Sequence, residues 1–227
     1  VPAAHHAVTT APTAPTARRP RAGGGRAGST AVRGDVVSVG VRPDRDSNVQ
    51  HDLHLRAPSL VLTVGPAASG KSTLLRALVA DGVVDLVVST DQVRAELGLP
   101  AAETDTTYAT ARAQVTEALR AGRVVAVDAT NVRTSDRAAW LRVASDAGGA
   151  SVVALRVGVG LDVEQLLVRD AGRDRHVPAA VIAEQLVLAA RSGPEVLAAE
   201  GLVVADPRRT RLVRCTTCPD LGTLQVA

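Results

Sequence analysis

Residues 59–64, Ser-Leu-Val-Leu-Thr-Val, form a short apolar run, and residues 65–73 follow it as Gly-Pro-Ala-Ala-Ser-Gly-Lys-Ser-Thr. Leu74, Leu75, Leu78 and Val79 then recur at helical spacing. A buried strand, a glycine-rich turn and a helix in direct succession leave few folds open to the chain. Gly65 and Gly70 let the backbone turn until successive N–H groups face one concavity, and the positive end of the helix opens on the same point. Such a concavity suits phosphate oxygens, so Gly65, Pro66, Ala67, Ala68, Ser69, Gly70, Lys71, Ser72 and Thr73 are the candidate residues for holding ATP. Lys71 can reach the outer phosphates, and the Ser72 hydroxyl suits a magnesium ion. Of the 26 Lys and Arg residues, Lys71 is the one lysine.

Downstream the chain switches between short Val/Leu runs and longer helix-like stretches, the alternation of a parallel sheet with crossover helices. Strands are predicted at residues 60–64, 86–89, 124–127, 152–157 and 202–204, and helices at 71–80, 91–97, 107–121, 135–147, 161–170 and 178–190. The fold class is therefore α/β, a P-loop NTPase three-layer sandwich with a mostly parallel five-stranded sheet and helices on both faces. Gly82, Gly98, Gly122 and Gly148 lie just past helix ends, where a left-handed cap favours glycine. Tyr108 and Trp140 each fall on an amphipathic helix and read as core-facing.

The flanks differ from this centre. Residues 1–34 are rich in Ala, Thr, Pro, Gly and Arg, carry Arg18, Arg19, Arg21, Arg26 and Arg33 without an acid, and read as a disordered leader. The domain is expected over residues 35–205, with two short edge strands within 35–56 and the motif-bearing core over 57–205. Residues 206–227 read as a poorly ordered basic tail. Its Cys215 and Cys218 form a lone Cys-x-x-Cys with no second pair or histidine nearby to complete a zinc site. The net charge of +3 is a mild excess but unevenly spread, and the arginines of the leader could alternatively touch nucleic acid through nonspecific phosphate contacts. No run approaches the ~18 apolar residues of a membrane span, and the start of the chain lacks a signal peptide's apolar stretch, so no membrane partner and a cytoplasmic location are expected.

Three further segments carry chemistry. Val-Val-Ser-Thr-Asp-Gln-Val-Arg at 87–94 is a strand end passing into a helix, which places Asp91 at the carboxyl edge of the sheet where an acceptor would lie, with Arg94 three residues on. A carboxylate there can take a proton from an attacking hydroxyl, and a guanidinium beside it can hold a phosphate already on the acceptor. Alternatively, Asp91 only caps its helix. Arg-Val-Val-Ala-Val-Asp-Ala-Thr-Asn at 123–131 is an apolar strand ending in Asp128, the form of a carboxylate on the magnesium side. Thr130 and Asn131 follow at the same edge and join Asp91 and Arg94 as candidates for acceptor binding. Finally, residues 166–178 cluster Arg169, Arg173 and Arg175 before Pro178; Arg169 and Arg173 could act from a mobile lid, or the interleaved Asp170 and Asp174 could make this a surface helix of ion pairs.

A guanine-specific GTPase would carry Asn-Lys-x-Asp, a transporter ATPase Leu-Ser-Gly-Gly-Gln, and a ring-forming ATPase a longer helical lid than the chain has room for; a compact kinase fits best. Gly-Pro-Ala-Ala-Ser-Gly-Lys-Ser-Thr, Ser-Thr-Asp-Gln-Val-Arg, Val-Asp-Ala-Thr-Asn and Arg-x-x-x-Arg-x-x-x-Val-Pro, in this order, resemble the kinase module of polynucleotide 5'-kinases and the related small predicted kinases over about residues 53–205. The resemblance implies transfer of the gamma phosphate of ATP to a hydroxyl, which in the polynucleotide kinases is a nucleic-acid 5' end. It also implies that Lys71 and Ser72 bind the triphosphate and magnesium, Asp91 is the general base, Arg94 grips an acceptor phosphate, Asp128 supports the metal, and Arg169 or Arg173 acts from the lid. The chain shows neither an Asp-x-Asp-x-Thr phosphatase signature nor a ligase-like lysine motif, and small-molecule kinases share the four motifs, so the acceptor stays open. A second class of reading is an ATP-binding switch module without phosphotransfer.

Overall fold

The computed structural model describes residues 51–100 and 104–215. Its main sheet has five strands, all parallel: β2 (Ser59–Val64), β3 (Leu86–Ser89), β4 (Val124–Asp128), β5 (Ser151–Arg156) and β6 (Val203–Ala205), in the order β3-β4-β2-β5-β6. The helices between them are α1 (Lys71–Ala80), α2 (Thr90–Glu96), α3 (Asp105–Arg120), α4 (Thr134–Asp146), α5 (Val163–Ala171), α6 (Ala179–Arg191) and α7 (Pro194–Ala199). Parallel strands need crossovers, and these cover both faces of the sheet, so the strands are apolar on both sides. Along β2 successive side chains serve opposite faces. Leu60 and Leu62 join Val125, Val127, Val115, Leu119 and Trp140 on one side, and Val61 joins Val124, Val153, Leu75 and Leu78 on the other.

β2 is the central strand and is buried at all six positions. Its connection runs to one side, through α1 to β3, whereas β4 sends α4 across to β5 on the other side. The carboxyl end of β2 is therefore where the strand order switches and where an open parallel sheet has its crevice. Gly82, Gly98, Gly122 and Gly148 all take positive φ, which closes the preceding helices as their positions imply.

Two differences from the sequence expectation lie at the margins. Residues 210–214, expected in a poorly ordered tail, form β7 (Thr210–Arg214), which pairs in parallel with β1 (His51–Leu55) in a separate two-stranded sheet. Leu53, Leu55 and Leu212 are buried against the α1 side of the core, and that burial orders a segment whose composition alone argued against it. The Cys215 N–H continues the ladder to the Leu55 carbonyl at 2.9 Å, while Cys218 lies outside the described residues. β1 is thus no edge of the main sheet, and the strand expected at residues 35–41 also lies outside the described residues. The second difference is α7, whose six residues, opened by Pro194, are too few to show a helical period.

Candidate active site

The loop at residues 65–73 is held from three directions. The Gly65 N–H donates to the Thr130 carbonyl at 3.0 Å, next to the end of β4. Val157, just past β5, donates its N–H to Val64 O at 2.9 Å and packs its own carbonyl so close that a Cβ on Gly65 would meet it at 2.2 Å. The Ala67 N–H donates to Gln185 Oε1 on α6 at 2.8 Å. Ala68 and Gly70 both take positive φ, 59° and 98°, and turn the chain into α1. The first N–H groups of that helix have no intrahelical acceptor and face the loop's concavity.

Lys71 is the first residue of α1 and is buried, with Nζ 2.5 Å from the Pro66 carbonyl and 3.5 Å from Ser69 Oγ. Burial lowers its pKa from the usual 10.5 to about 8; the negative charge of Asp128 opposes that shift, Arg173 adds to it, and Asp91 opposes it. The charges that reach this lysine therefore come from the ends of β4 and β3 and from the loop after α5. Three charges from segments far apart in sequence thus act on one ammonium group.

Asp128 ends β4 directly opposite Ser89, the last residue of β3. Together with Ser72 it lines a cavity of about 540 Å³ that also includes Ser89 and Gln92. No cluster of three or more His, Cys, Asp and Glu occurs among the described residues. A hydroxyl and a single carboxylate beside a phosphate loop nonetheless fit magnesium, which keeps several waters and takes its remaining oxygens from substrate phosphates.

Asp91 does not cap its helix. Ser89 does so, accepting the Gln92 N–H at 3.4 Å, and Asp91 is left with its carboxylate more than half exposed. Its Oδ1 accepts Arg94 Nη1 at 2.9 Å and Arg175 Nη1 at 2.5 Å. Arg94 is largely buried, and its Nε has no partner among the described residues. Tyr108 lies near this group, within reach of the charges of Asp91, Arg94 and Arg112; burial is the main cause of its raised pKa.

The arginine cluster divides. Arg169 is exposed on α5, whereas Arg173 stands in the following loop, bonded to Asp170 at 3.1 Å, and it is the one whose charge reaches Lys71. Arg175 was not singled out from the sequence, because its approach to Asp91 depends on how a loop is wound. α6 is fastened to the body rather than free: besides Gln185, Glu184 pairs with Arg133 at 2.5 Å, and Ser192 accepts Arg137 Nη1 at 3.1 Å.

Asn131, expected in an acceptor pocket, lies wholly inside. It is fully buried at φ 46°, its Nδ2 donates to the Thr63 carbonyl at 2.9 Å, and its Oδ1 accepts the Trp140 indole N–H at 3.0 Å. One donor and one acceptor of the amide are thus spent on holding the turn after β4, in a side chain with no exposed surface. Thr130 is half-buried and contributes its carbonyl to the phosphate loop.

A phosphate loop at the carboxyl edge of an all-parallel five-stranded sheet, with a buried lysine at its centre, defines a P-loop nucleotide-binding domain of kinase-like form. Within that class the chain belongs to the family described as AAA domain, whose model matches residues 60–191. The part of the match beyond β5 is the pair α5 and α6, not the longer helical domain expected of a ring-forming ATPase. None of the curated proteins compared matches the chain. Among solved structures, a chain of the Pnkp1/Rnl/Hen1 RNA repair complex is similar at 21% identity and a TM-score of 0.50, over 61% of this chain and 47% of that one. The chain thus spans about half the length of that relative. A gluconokinase from Sinorhizobium meliloti 1021 aligns at 21% identity over 72% of this chain and 86% of that one, with a TM-score of 0.41. Kti12 from Chaetomium thermophilum, in complex with ADP-AlF3, aligns at 20% identity over 65% and 88%, with a TM-score of 0.48. At these identities the likeness is one of fold. Among the described residues, no helix is long and apolar enough to cross a membrane.

Proposed function

We propose that this chain is an ATP-dependent phosphotransferase that moves the gamma phosphate to a hydroxyl on an anionic acceptor. The observation that carries this reading is the placement of Asp91, an exposed carboxylate two residues past the end of β3 whose Oδ1 accepts both Arg94 Nη1 and Arg175 Nη1. A nucleotide-binding switch needs the loop, the lysine and a metal-side carboxylate. It does not need a second, solvent-open carboxylate placed beyond them between two arginines.

In this reading the loop amides and Lys71 hold the triphosphate. Ser72 and Asp128 hold magnesium, which supplies charge neutralisation on the phosphate oxygens when bound. Arg173 stabilises the phosphoryl group in transit. Asp91 accepts the proton of the attacking hydroxyl, and Arg94 holds an anionic group beside that hydroxyl. The likeness to a chain of an RNA repair complex supports placing a nucleic-acid 5'-hydroxyl end first among acceptors, with small phosphorylated metabolites next.

The test is transfer of labelled gamma phosphate from ATP, with magnesium, to a 5'-hydroxyl oligonucleotide and to a panel of small hydroxyl compounds, for the unaltered chain, Lys71→Ala and Asp91→Ala. Transfer lost in both variants, with ATP binding lost only in Lys71→Ala, is the expected result. Intact ATP binding with no acceptor phosphorylated would discard the phosphotransfer reading.

A further inference from the structure

Near the end of α5, one turn after Leu166 on the same inward face, stands a buried carboxylate, Asp170, which is 3% exposed. Leu166 packs with Ala67 of the phosphate loop and Ile182 of α6, so the turn of α5 that carries Asp170 is seated against that loop. Burying a carboxylate is costly unless it is paired and its oxygens find donors. Here both oxygens do: Oδ1 accepts Arg173 Nη1 at 3.1 Å, and Oδ2 accepts the Val177 N–H at 2.9 Å with His176 Nδ1 3.6 Å away. The Asp170 carbonyl accepts the Arg173 N–H at 3.0 Å as well, so the backbone and the side chain of Arg173 are tied to one residue.

The two ends of this pair differ in freedom. The Asp170 side chain is held inside by a backbone N–H, whereas the Arg173 side chain is about a third exposed. Asp170 therefore sets where Arg173 goes, and not the reverse. A guanidinium presents five N–H donors in a rigid planar fork, and one bond to Asp170 leaves the others unspent. Arg173 also stands close enough to Lys71 for its charge to act on that ammonium group. A guanidinium so placed, with donors to spare, can meet oxygens of the phosphate that Lys71 holds.

We propose that Asp170 is the positioning residue for Arg173: it fixes one side of the guanidinium before nucleotide arrives, so that the remaining donors are already in place for the phosphoryl group as it leaves ADP. The proposal rests on the phosphotransferase reading above, in which Arg173 stabilises that group. An unrestrained arginine must give up its rotamer freedom when the charge on the phosphoryl oxygens is redistributed; an arginine held beforehand has already done so. The benefit falls on the transition state and not on the binding of ATP or ADP, because the oxygens concerned belong to the group in transit. Asp170 exchanges no proton in this step and acts only through Arg173.

The experiment compares, for the full chain with magnesium, affinity for ADP alone and for ADP with aluminium fluoride, which stands in for the phosphoryl group in transit. It uses the parent, Asp170→Asn, Arg173→Ala and the double variant, each with its thermal unfolding. Asparagine keeps the size of the side chain and one oxygen for the Val177 N–H, but its amide nitrogen cannot accept from Arg173. Asp170→Asn is expected to reduce the preference for the aluminium fluoride complex about tenfold while ADP affinity stays at the parent value. In the Arg173→Ala background the same change is expected to alter that preference by less than about twofold. An equal loss with and without Arg173, no loss, or no preference in the parent would overturn the proposal. If Asp170→Asn does not fold, Arg173→Lys serves: lysine keeps the charge but has no fork to span Asp170 and the phosphoryl group, so it should lose as much preference as alanine, and a lysine variant at the parent value would overturn the proposal. The acceptor panel separates the two readings. Phosphotransfer without coupling between Asp170 and Arg173 keeps the function and removes the positioning role; coupling without any phosphorylated acceptor keeps the positioning role and removes the phosphotransfer reading.

Discussion

Gln185, on α6, places its side-chain oxygen 2.8 Å from the N–H of Ala67 in the phosphate loop. The next residue inward on that helix face, Ile182, packs with Ala67 and Leu166 in a small core of its own. The helix that follows the loop after α5 is therefore part of what shapes the phosphate site. Removing the amide leaves a part-buried N–H without its acceptor, at a cost of about 1 kcal/mol. If that order is needed to receive phosphate, Gln185→Ala weakens ATP by about fivefold, as measured by equilibrium binding. Gln185→Glu, which keeps an acceptor oxygen, should lose less of the loop's order but add a negative charge near the phosphates.

The lowered pKa of Lys71 predicts two opposite responses to pH. In the empty protein this lysine releases its proton near pH 8, whereas in the unfolded chain it does so near 10.5. Between those values the unfolded chain binds more protons, so the stability of the empty protein rises with pH across that window. Nucleotide binding makes the reverse demand, because the triphosphate favours the ammonium form. ATP affinity therefore falls above about pH 8, by up to about tenfold per pH unit. Titration calorimetry from pH 6.5 to 9.5 checks this, with Lys71→Met as the reference in which both dependences should vanish. Affinity that stays level across the range would remove Lys71 from the phosphate contacts.

At Gly65 the constraint is steric. Any Cβ there meets the Val157 carbonyl at 2.2 Å, and neither partner can retreat, since Gly65 N and Val157 N are both tied into the sheet edge. Gly65→Ala is expected to cost about 1–3 kcal/mol by overpacking, read by denaturant unfolding, and to lower ATP affinity by about tenfold or more as the loop shifts. Ala68→Gly is the contrasting change: its φ of 59° is already left-handed, so glycine fits without strain and ATP affinity should hold.

What could be seen in the sequence was local. The passage from β2 through the loop to α1 is contiguous, Asp128 announces itself because an apolar run stops at it, and Asp91 follows the apolar run of β3 after Ser89 and Thr90. The remaining parts of the site depend on tertiary packing. Asn131 follows Asp128 and looked like another edge residue, but Trp140 and the Thr63 carbonyl supply interior partners for its amide. Arg175 sits among alternating acids and arginines, and only the burial of Asp170 decides which arginine faces which target. Gln185 lies on a mostly apolar helix beside Glu184, and nothing within that helix shows that a loop more than a hundred residues earlier needs an acceptor. β7 was missed for a related reason, since one buried leucine in a five-residue strand is too little signal without β1 beside it.

The buried Arg137 links this interior frame to the turn that follows Asp128. It is 1% exposed and forms two bonds to Glu200, at 2.6 and 2.7 Å, while its Nη1 donates to the Asn131 carbonyl at 2.9 Å. Asn131 in turn braces the turn that carries Asp128 and Thr130. Arg137→Leu leaves Glu200 unpaired and the Asn131 carbonyl without its donor, and it is expected to cost about 3 kcal/mol; replacing Glu200 with leucine as well should recover part of that loss. The hydrogen bonds from Arg137 are the main reason the Glu200 pKa lies below its usual 4.5. A lowered carboxylate pKa gives stability that is present above the unfolded value and fades as pH falls through the folded one, so the Arg137→Leu variant should lose that part of the parent's acid sensitivity. If the frame also aims Asp128, the same variant needs more magnesium for half-maximal phosphotransfer while its ATP affinity without metal stays close to the parent. Unfolding curves from pH 3 to 7 and a magnesium titration of activity test the two consequences separately, and a destabilised variant with an unchanged magnesium requirement would confine Arg137 to stability.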